Sequence, residues 1–389
     1  MTTPTNPVHS GRQPDRVDTA IIGGGQAGLA LGHYLAQHGD DFVILDANDR
    51  IGDAWRKRWD SLRLFTPAKF NGLPGHRFPG DRLAFPTKDE QAAYLESYAE
   101  RGHLPVENGV RVERATRDGD FFLLEADGRR WLSRNLVVAT GSYQSPKVPA
   151  FADRLSSSGT QLHSIQYRNP AQLPPGEVLV VGLGNSGAEI ALEVSRTHPT
   201  VAAAGPGREL PFRHGRAAAR FAFPVVRFAG LHVLNRRSPI GRRVLPTLER
   251  EATPLIRTKR HDLENAGVRL VSRIAEVRDG RPVTEDGDIL NPATVIWCTG
   301  CREDYDWLRL PAVDSEGLLD QRRGVSRTVP GLYFLGQEFL FAVTSATLPG
   351  VGRDARYIAR QLHRRQPAPA GSPAMASPIR RGSRKLEEV

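Results

Sequence analysis

Three glycines, Gly23, Gly25 and Gly28, follow the apolar run Val17–Ile22 in the spacing G-x-G-x-x-G. That spacing suits a bound pyrophosphate. The first glycine permits a tight turn from strand to helix. The second lets phosphate reach bare backbone, and the third lets the helix pack close to the strand. Gln26 and Ala27 then open a helix, through Gln37, whose unpaired N–H groups and partial positive charge face an anion. An acid about 20 residues further on, at the end of the next strand, would hold a ribose hydroxyl pair. Asp46 closes the strand predicted over Asp41–Leu45 and lies 18 residues beyond Gly28.

The pattern occurs twice. Val178–Val181 reads as a second buried strand, and Gly182, Gly184 and Gly187 follow it, with Asn185 and Ser186 opening a helix through Val194. A strand is predicted at Val201–Ala204. Each half later returns in a buried strand that stops at Thr-Gly: Leu136–Ala139 before Thr140-Gly141, and Thr294–Trp297 before Cys298-Thr299-Gly300. Two fingerprints in register argue for two dinucleotide-binding units in one α/β chain. Their ribose positions differ. Asp46 lies 23 positions after Gly23, and the same count from Gly182 reaches Gly205, followed by Arg208. A carboxylate suits a free 2′-hydroxyl, whereas an arginine accommodates a 2′-phosphate. The first half is therefore expected to hold FAD and the second NADPH, with Arg208 as leading phosphate partner and Arg213 and Arg216 behind it.

The elements that must position these turns set the wider plan. A helix over Lys88–Arg101 carries Tyr94, Leu95 and Tyr98 at helical spacing. Val110–Val112, Phe121–Ala126 and Trp131–Leu132 read as an antiparallel excursion before the strand at Leu136. Gly331–Gln337 reads as a strand delivering Gly336 and Gln337 to the flavin, and Thr344–Gly352 as the opening of a helix facing the flavin's electron-rich edge.

The 389 residues leave room for two or three domains. The first 16 residues are polar with three prolines, so no signal peptide is expected. No apolar run approaches the roughly 18 residues of a membrane span. Two cysteines form no disulfide framework, which fits a cytoplasmic protein. The net charge of +10 has a single source: residues 205–260 hold 13 Lys and Arg against three acids. No helix-turn-helix, RNA-binding or zinc signature accompanies that segment, so nucleic acid is not an expected partner.

Between the halves lies Gly159-x-x-x-His163-Ser164-x-x-Tyr167, followed by Arg168-Asn169-Pro170. This resembles the identifying motif F-x-G-x-x-x-H-x-x-x-(Y/F) of flavin-containing monooxygenases, with Ser157 where the pattern has phenylalanine. The tyrosine points away from Baeyer–Villiger monooxygenases. Asp46 with Gly52-Asp53-Ala54-Trp55, the L-R-L-x-x-P run Leu62–Pro67, Ala139-Thr140-Gly141 and Gly182-x-Gly184-Asn185-Ser186-Gly187 extend the likeness. It covers residues 18–362 and is strongest to bacterial flavoprotein monooxygenases and to the plant enzymes of auxin synthesis. One departure is that Thr66 is followed by Pro67, where animal-type members carry an asparagine near the flavin.

The resemblance implies a glutathione-reductase-like architecture of two Rossmann-like domains, the NADPH domain (151–300) inserted into an FAD domain (17–150 and 301–365). Tails at 1–16 and 366–389 are expected to be disordered. It adds Trp55, Arg56, Leu62 and Val112 to the flavin side, and Thr299 and Gly300 to the NADPH side. It also implies the chemistry: NADPH reduces FAD, O2 adds at flavin C4a, and one oxygen passes to a heteroatom or a carbonyl such as a 2-oxo acid. The cofactors do that work, so no catalytic side chain and no metal are expected. The protein must supply a dry pocket, which stretches 59–86 and Phe221–Leu234 are read as lining.

Three features carry rival readings. Cys298 and Cys301 spell C-x-x-C, which would suit a disulfide reductase if the pair faced the flavin. His163 is read as a scaffold residue bracing the link between domains. Ala217–Leu234 is read as a membrane-surface helix, a substrate-side lid or a homodimer contact, with Pro224 and Gly230 interrupting it. The alternatives to an oxygenase are a flavoprotein reductase or oxidase, or a flavin-binding regulatory protein.

Overall fold

A computed structural model describes residues 13–156, 159–250, 253–314 and 318–365. The tail expected at 366–389 and the motif's Ser157 lie outside the described residues.

The chain opens as β1 (Asp15–Ile22), α1 (Gln26–His38) and β2 (Phe42–Leu45). β1 therefore starts two residues inside the tail expected at 1–16. After the short helix α2 (Asp53–Arg56) comes α3 (Lys88–Arg101), which spans the residues its pattern predicts. A capping box fixes its start: Thr87 accepts from the Glu90 amide, and Glu90 accepts from the Thr87 amide. Strands β3 (Val106–Glu107), β4 (Arg114–Asp118), β5 (Phe121–Ala126) and β6 (Arg129–Val138) follow.

Two corrections arise here. Val110–Val112 is loop rather than strand, and its valines are buried beneath the sheet. The expected pieces at Trp131 and Leu136 are one strand, β6, whose first half pairs antiparallel with β5 while its length lies parallel to β1.

In the nine-stranded sheet, β1 sits between β2 and β6, both parallel to it. Leu332–Phe334, from far along the chain, joins the other side of β6 in parallel. The second sheet has five parallel strands in the order Arg269–Val271, Thr200–Ala203, Val178–Val181, Thr294–Trp297, Thr160–His163. Strands buried on both faces read as unbroken apolar runs, which is why they were legible. α4 (Asn185–Val194) follows Val178–Val181 as α1 follows β1. In both sheets the helix leads to a strand on one side, and a later strand arrives on the other. Ligands of open α/β sheets bind at the carboxyl end of such a reversal.

The basic segment forms α5 (Arg216–Phe228), a π-helical turn at Ala229–Val233 and α6 (Pro239–Arg250). Pro224 does not break α5. It removes only the bond to the Arg220 carbonyl, and Arg220 is exposed, so water can take that bond's place. A short helix α7 (Arg260–Asn265) precedes the strand at Arg269. The last helix, α8 (Leu348–Arg365), lies against α1. It begins four residues later than expected, because Thr344–Ala346 form a turn closed by Ser345 Oγ, which accepts the Phe341 and Ala342 amides.

Candidate functional site

The first glycine turn shows three different reasons for glycine. Gly23 has φ +113°, and a Cβ there would lie 2.5 Å from the Ala139 carbonyl oxygen. A Cβ on Gly28 would lie 2.0 Å from the carbonyl oxygen of Gly23. Gly25 is the opposite case, since nothing lies within 4 Å of where its Cβ would be. Backbone thus closes the first and third positions, while the middle one opens onto free space. The amides at the start of α1 receive no side-chain cap. An N-terminus of that kind is an anion site.

Asp46 lies over this turn. Its Oδ2 accepts from the Gly24 amide at 2.5 Å, and its Oδ1 from the Asn48 amide at 2.8 Å. The strand end at Thr140 reaches the turn through the Ala139 carbonyl, and Gly141 takes φ +69°. Gly336 comes from the opposite end of the chain: a Cβ there would sit 2.7 Å from that of Ala27. Gln337 Nε2 donates to the Val138 carbonyl, and Gln26 Nε2 to that of Ala346, joining α1 to the approach of α8. The structure therefore brings together Gly23–Gly28, Asp46, Thr140, Gly141, Gly336 and Gln337.

Trp55, Arg56, Leu62 and Val112 complete the first-half residues. Arg56 donates to the Ile51 carbonyl, to Asp53 and to Glu96 of α3, so its guanidinium clamps a loop. Trp55 and Leu62 pack into the core beside it, and Val112 is buried in the neighbouring cluster.

The second turn repeats the first at each position. Gly182 has φ +97°, with a Cβ position 2.6 Å from the Cys298 carbonyl oxygen. A Cβ on Gly187 would lie 1.9 Å from the Gly182 carbonyl oxygen, and around Gly184 nothing lies within 4 Å. Asn185 ties α4 to the following segment, accepting from the Ile256 amide and donating to the Pro254 carbonyl. Ser186, beside it in the first turn of α4, is half-buried. The Thr299 hydroxyl donates to the Lys147 carbonyl, and the Gly300 carbonyl lies 3.0 Å from His163 Nε2. Burial lowers the pKa of that imidazole, which fits a scaffold role. On the inner side of α4, Glu189 pairs with Arg257 at 2.5 Å. Burial pushes the Glu189 carboxyl up to about 7 against that pull.

The ribose position needs a correction. Gly23 donates to the carbonyl of Leu45, just before Asp46, while Gly182 donates to that of Ala203. The counterpart of Asp46 is therefore Ala204, one residue earlier than the count from glycine to glycine gives. No acid stands there either. Cations gather beside it instead: a Cβ on Gly205 would meet the Arg273 guanidinium at 2.5 Å, and Arg260 donates to the Gly205 carbonyl. Arg208 is exposed on the same loop. Arg273 and Arg260 escape sequence reasoning because they join the loop from 68 and 55 residues away.

Both cysteines are free thiols; burial pushes Cys298 up to about 12 and raises Cys301 as well, so neither favours the thiolate.

A cavity of about 410 Å³ lies between the 69–74 loop, the end of α5 with its π turn, and the first turns of α8. Phe70, Leu73, Leu231 and Leu348 give it apolar walls, and Lys69, Arg227 and Arg353 add positive charge. Both stretches expected to line a pocket contribute, but Phe221, Val225 and Phe228 face solvent instead.

Two sheets, each with parallel central strands and an open-centred glycine turn, define a protein of the double dinucleotide-binding class. The family model for pyridine nucleotide-disulphide oxidoreductases matches residues 20–220. A Geobacillus kaustophilus protein described as an uncharacterized oxidoreductase CzcO-like is 36% identical over 89% of this chain and 98% of its own. The rice indole-3-pyruvate monooxygenase YUCCA1 is 29% identical over 88% of this chain and 90% of its own. A flavin-containing monooxygenase structure from Stenotrophomonas maltophilia matches at TM-score 0.73 and 32% identity, over 90% and 99% of the two chains. The chain belongs to the pyridine nucleotide-disulphide oxidoreductase family and, within it, to the flavin-containing monooxygenases.

Proposed function

We propose that this chain uses FAD and NADPH to place one atom of O2 on a small organic substrate, either at a nitrogen or sulfur atom or at a carbonyl such as that of a 2-oxo acid. The observation that carries the reading is the repeated turn: two cradles of the same build, one beside a carboxylate and the other beside arginines. A cradle that a single Cβ would fill fits a pyrophosphate pressed against backbone. FAD would lie on Gly23, Gly25, Gln26, Ala27 and Gly28, with Asp46 on its ribose and Thr140, Gly141, Gly336 and Gln337 around it. NADPH would lie on Gly182, Gly184, Asn185, Ser186 and Gly187, bounded by Thr299 and Gly300. Arg208, joined by Arg273, would meet its 2′-phosphate. The units would be 17–150 with 301–365 for FAD, and 151–300 for NADPH.

Bound FAD, reduced by NADPH, supplies the activation of O2. The chain's own residues orient both nucleotides and exclude water. Among the described residues no helix is long and apolar enough to cross a membrane. We place the reaction in the cytoplasm.

The test is NADPH oxidation by the flavin-loaded protein under labelled O2, against a panel of amines, sulfides and 2-oxo acids. The reading expects at least one compound to speed NADPH use and to carry one labelled oxygen. NADPH consumption that ends only in hydrogen peroxide, whatever the compound, would overturn it in favour of an oxidase.

A further inference from the structure

We infer that α5 and the turn into α6 form a docking face for an anionic lipid bilayer. From Leu210 to Leu248 the chain carries eight arginines and no acid. Two of them have acidic partners, Arg216 with Asp81 and Arg236 with Glu249. The other six meet no acid among the described residues.

The same segment exposes large apolar side chains. Phe221, Val225 and Phe228 are 68%, 67% and 61% exposed. Their spacing of four and three residues puts them on one face of α5. Ile240, at the start of α6, is exposed too. The helix is not short of an inner face: Ala218, Ala219 and Phe223 are buried, and Phe223 packs near Phe85 and Phe212. Folding alone therefore gives no reason for an outward ridge of two phenyl rings. Arg216, Arg220 and Arg227 run beside that ridge, roughly a third of a turn around the helix. An apolar ridge flanked by arginines is the build of a helix lying in a membrane interface, rings among the acyl chains and guanidinium groups at the headgroups.

Charge decides between occupants. A second copy related by a twofold axis would bring the same arginine-rich segment, with six arginines that meet no acid among the described residues, against itself, which repels. A bilayer carrying phosphatidylglycerol supplies the missing negative charge and an apolar layer beneath it. The inference stands apart from the proposed oxygenation, although Arg227 and Leu231 of the same segment also line the cavity. Docking would bring that cavity close to the membrane.

The test is flotation of the full flavin-loaded chain with phosphatidylcholine vesicles, with and without phosphatidylglycerol. Binding is expected to the anionic vesicles only and to weaken as salt rises. The double variant Phe221→Ser/Phe228→Ser should bind about tenfold more weakly, at unchanged flavin absorbance and melting temperature. Equal binding to both vesicle types, no binding at all, or full binding by the double variant would each overturn the inference. So would a dimer seen by light scattering that the double variant dissolves, or DNA capture without vesicle binding.

Discussion

The two glycine turns are alike in backbone and differ in what stands next to them. Each has a closed first position, a closed third and an open middle. The phosphate-binding half of the problem is thus solved twice in one way, because bare backbone at a helix start suits any pyrophosphate. Discrimination lies in the side chains at the next strand's end. Asp46 is held there by two amides, whereas Ala204 offers nothing and its neighbourhood fills with arginines. Under the proposed assignment, the comparison puts the choice of nucleotide at its ribose.

Removing the arginines should break that comparison with the largest effect. A hydrogen bond to a charged group contributes about 1.5–3 kcal/mol, or roughly 10- to 100-fold in affinity. Arg273→Ala and Arg208→Ala are each expected to lower kcat/KM for NADPH within that range and to leave NADH within about threefold. Steady-state kinetics with both nucleotides checks this, and equal losses for both would remove the 2′-phosphate assignment.

A smaller effect concerns the imidazole brace at Gly300, where the first half instead has Gln144 donating to the Gly141 carbonyl. The folded pKa of His163 is depressed by burial, below the roughly 6.5 of an unfolded histidine. Its neutral form therefore stabilises the fold above that value, and the stability is lost as pH falls through it. The melting temperature that the protein holds over His163→Asn should thus shrink between about pH 7.5 and about pH 5.5. A constant gap would show that this imidazole does not titrate in the window.

The smallest expected effect is none. Cys298→Ala with Cys301→Ala should leave NADPH oxidation within about twofold, because both thiols disfavour the thiolate. Loss of turnover in that double variant would restore the disulfide-exchange chemistry for which the family is named.

Much of this was legible because buried parallel strands leave unbroken apolar runs. Val178–Val181, Asn185–Val194 and Thr294–Trp297 lie where their patterns predict. Register across distance was not legible. The glycine-to-glycine count reached Gly205 because the span from Gly182 to its next strand's end is one residue shorter than that from Gly23: α4 is three residues shorter than α1, and the loop after it two residues longer. Arg273 lies beyond three helices and a strand, with no local pattern to announce it. Proline misled in α5, since a freed carbonyl at the surface costs little. Pattern also names an apolar face without saying which way it points, so the ridge of Phe221 and Phe228 read as pocket lining until packing put Phe223 on the inside.

The central claim is that the first turn holds the flavin and the second the nicotinamide nucleotide. Gly25 and Gly184 test it most directly, because a Cβ at either position would have no protein atom within 4 Å. The measurement is the visible spectrum of purified Gly25→Val and Gly184→Val, before and after NADPH. Gly25→Val should be folded and colourless. Gly184→Val should be yellow, bleached by dithionite and not by NADPH. A yellow Gly25→Val, or a Gly184→Val that loses its flavin or is still bleached by NADPH, would contradict the account.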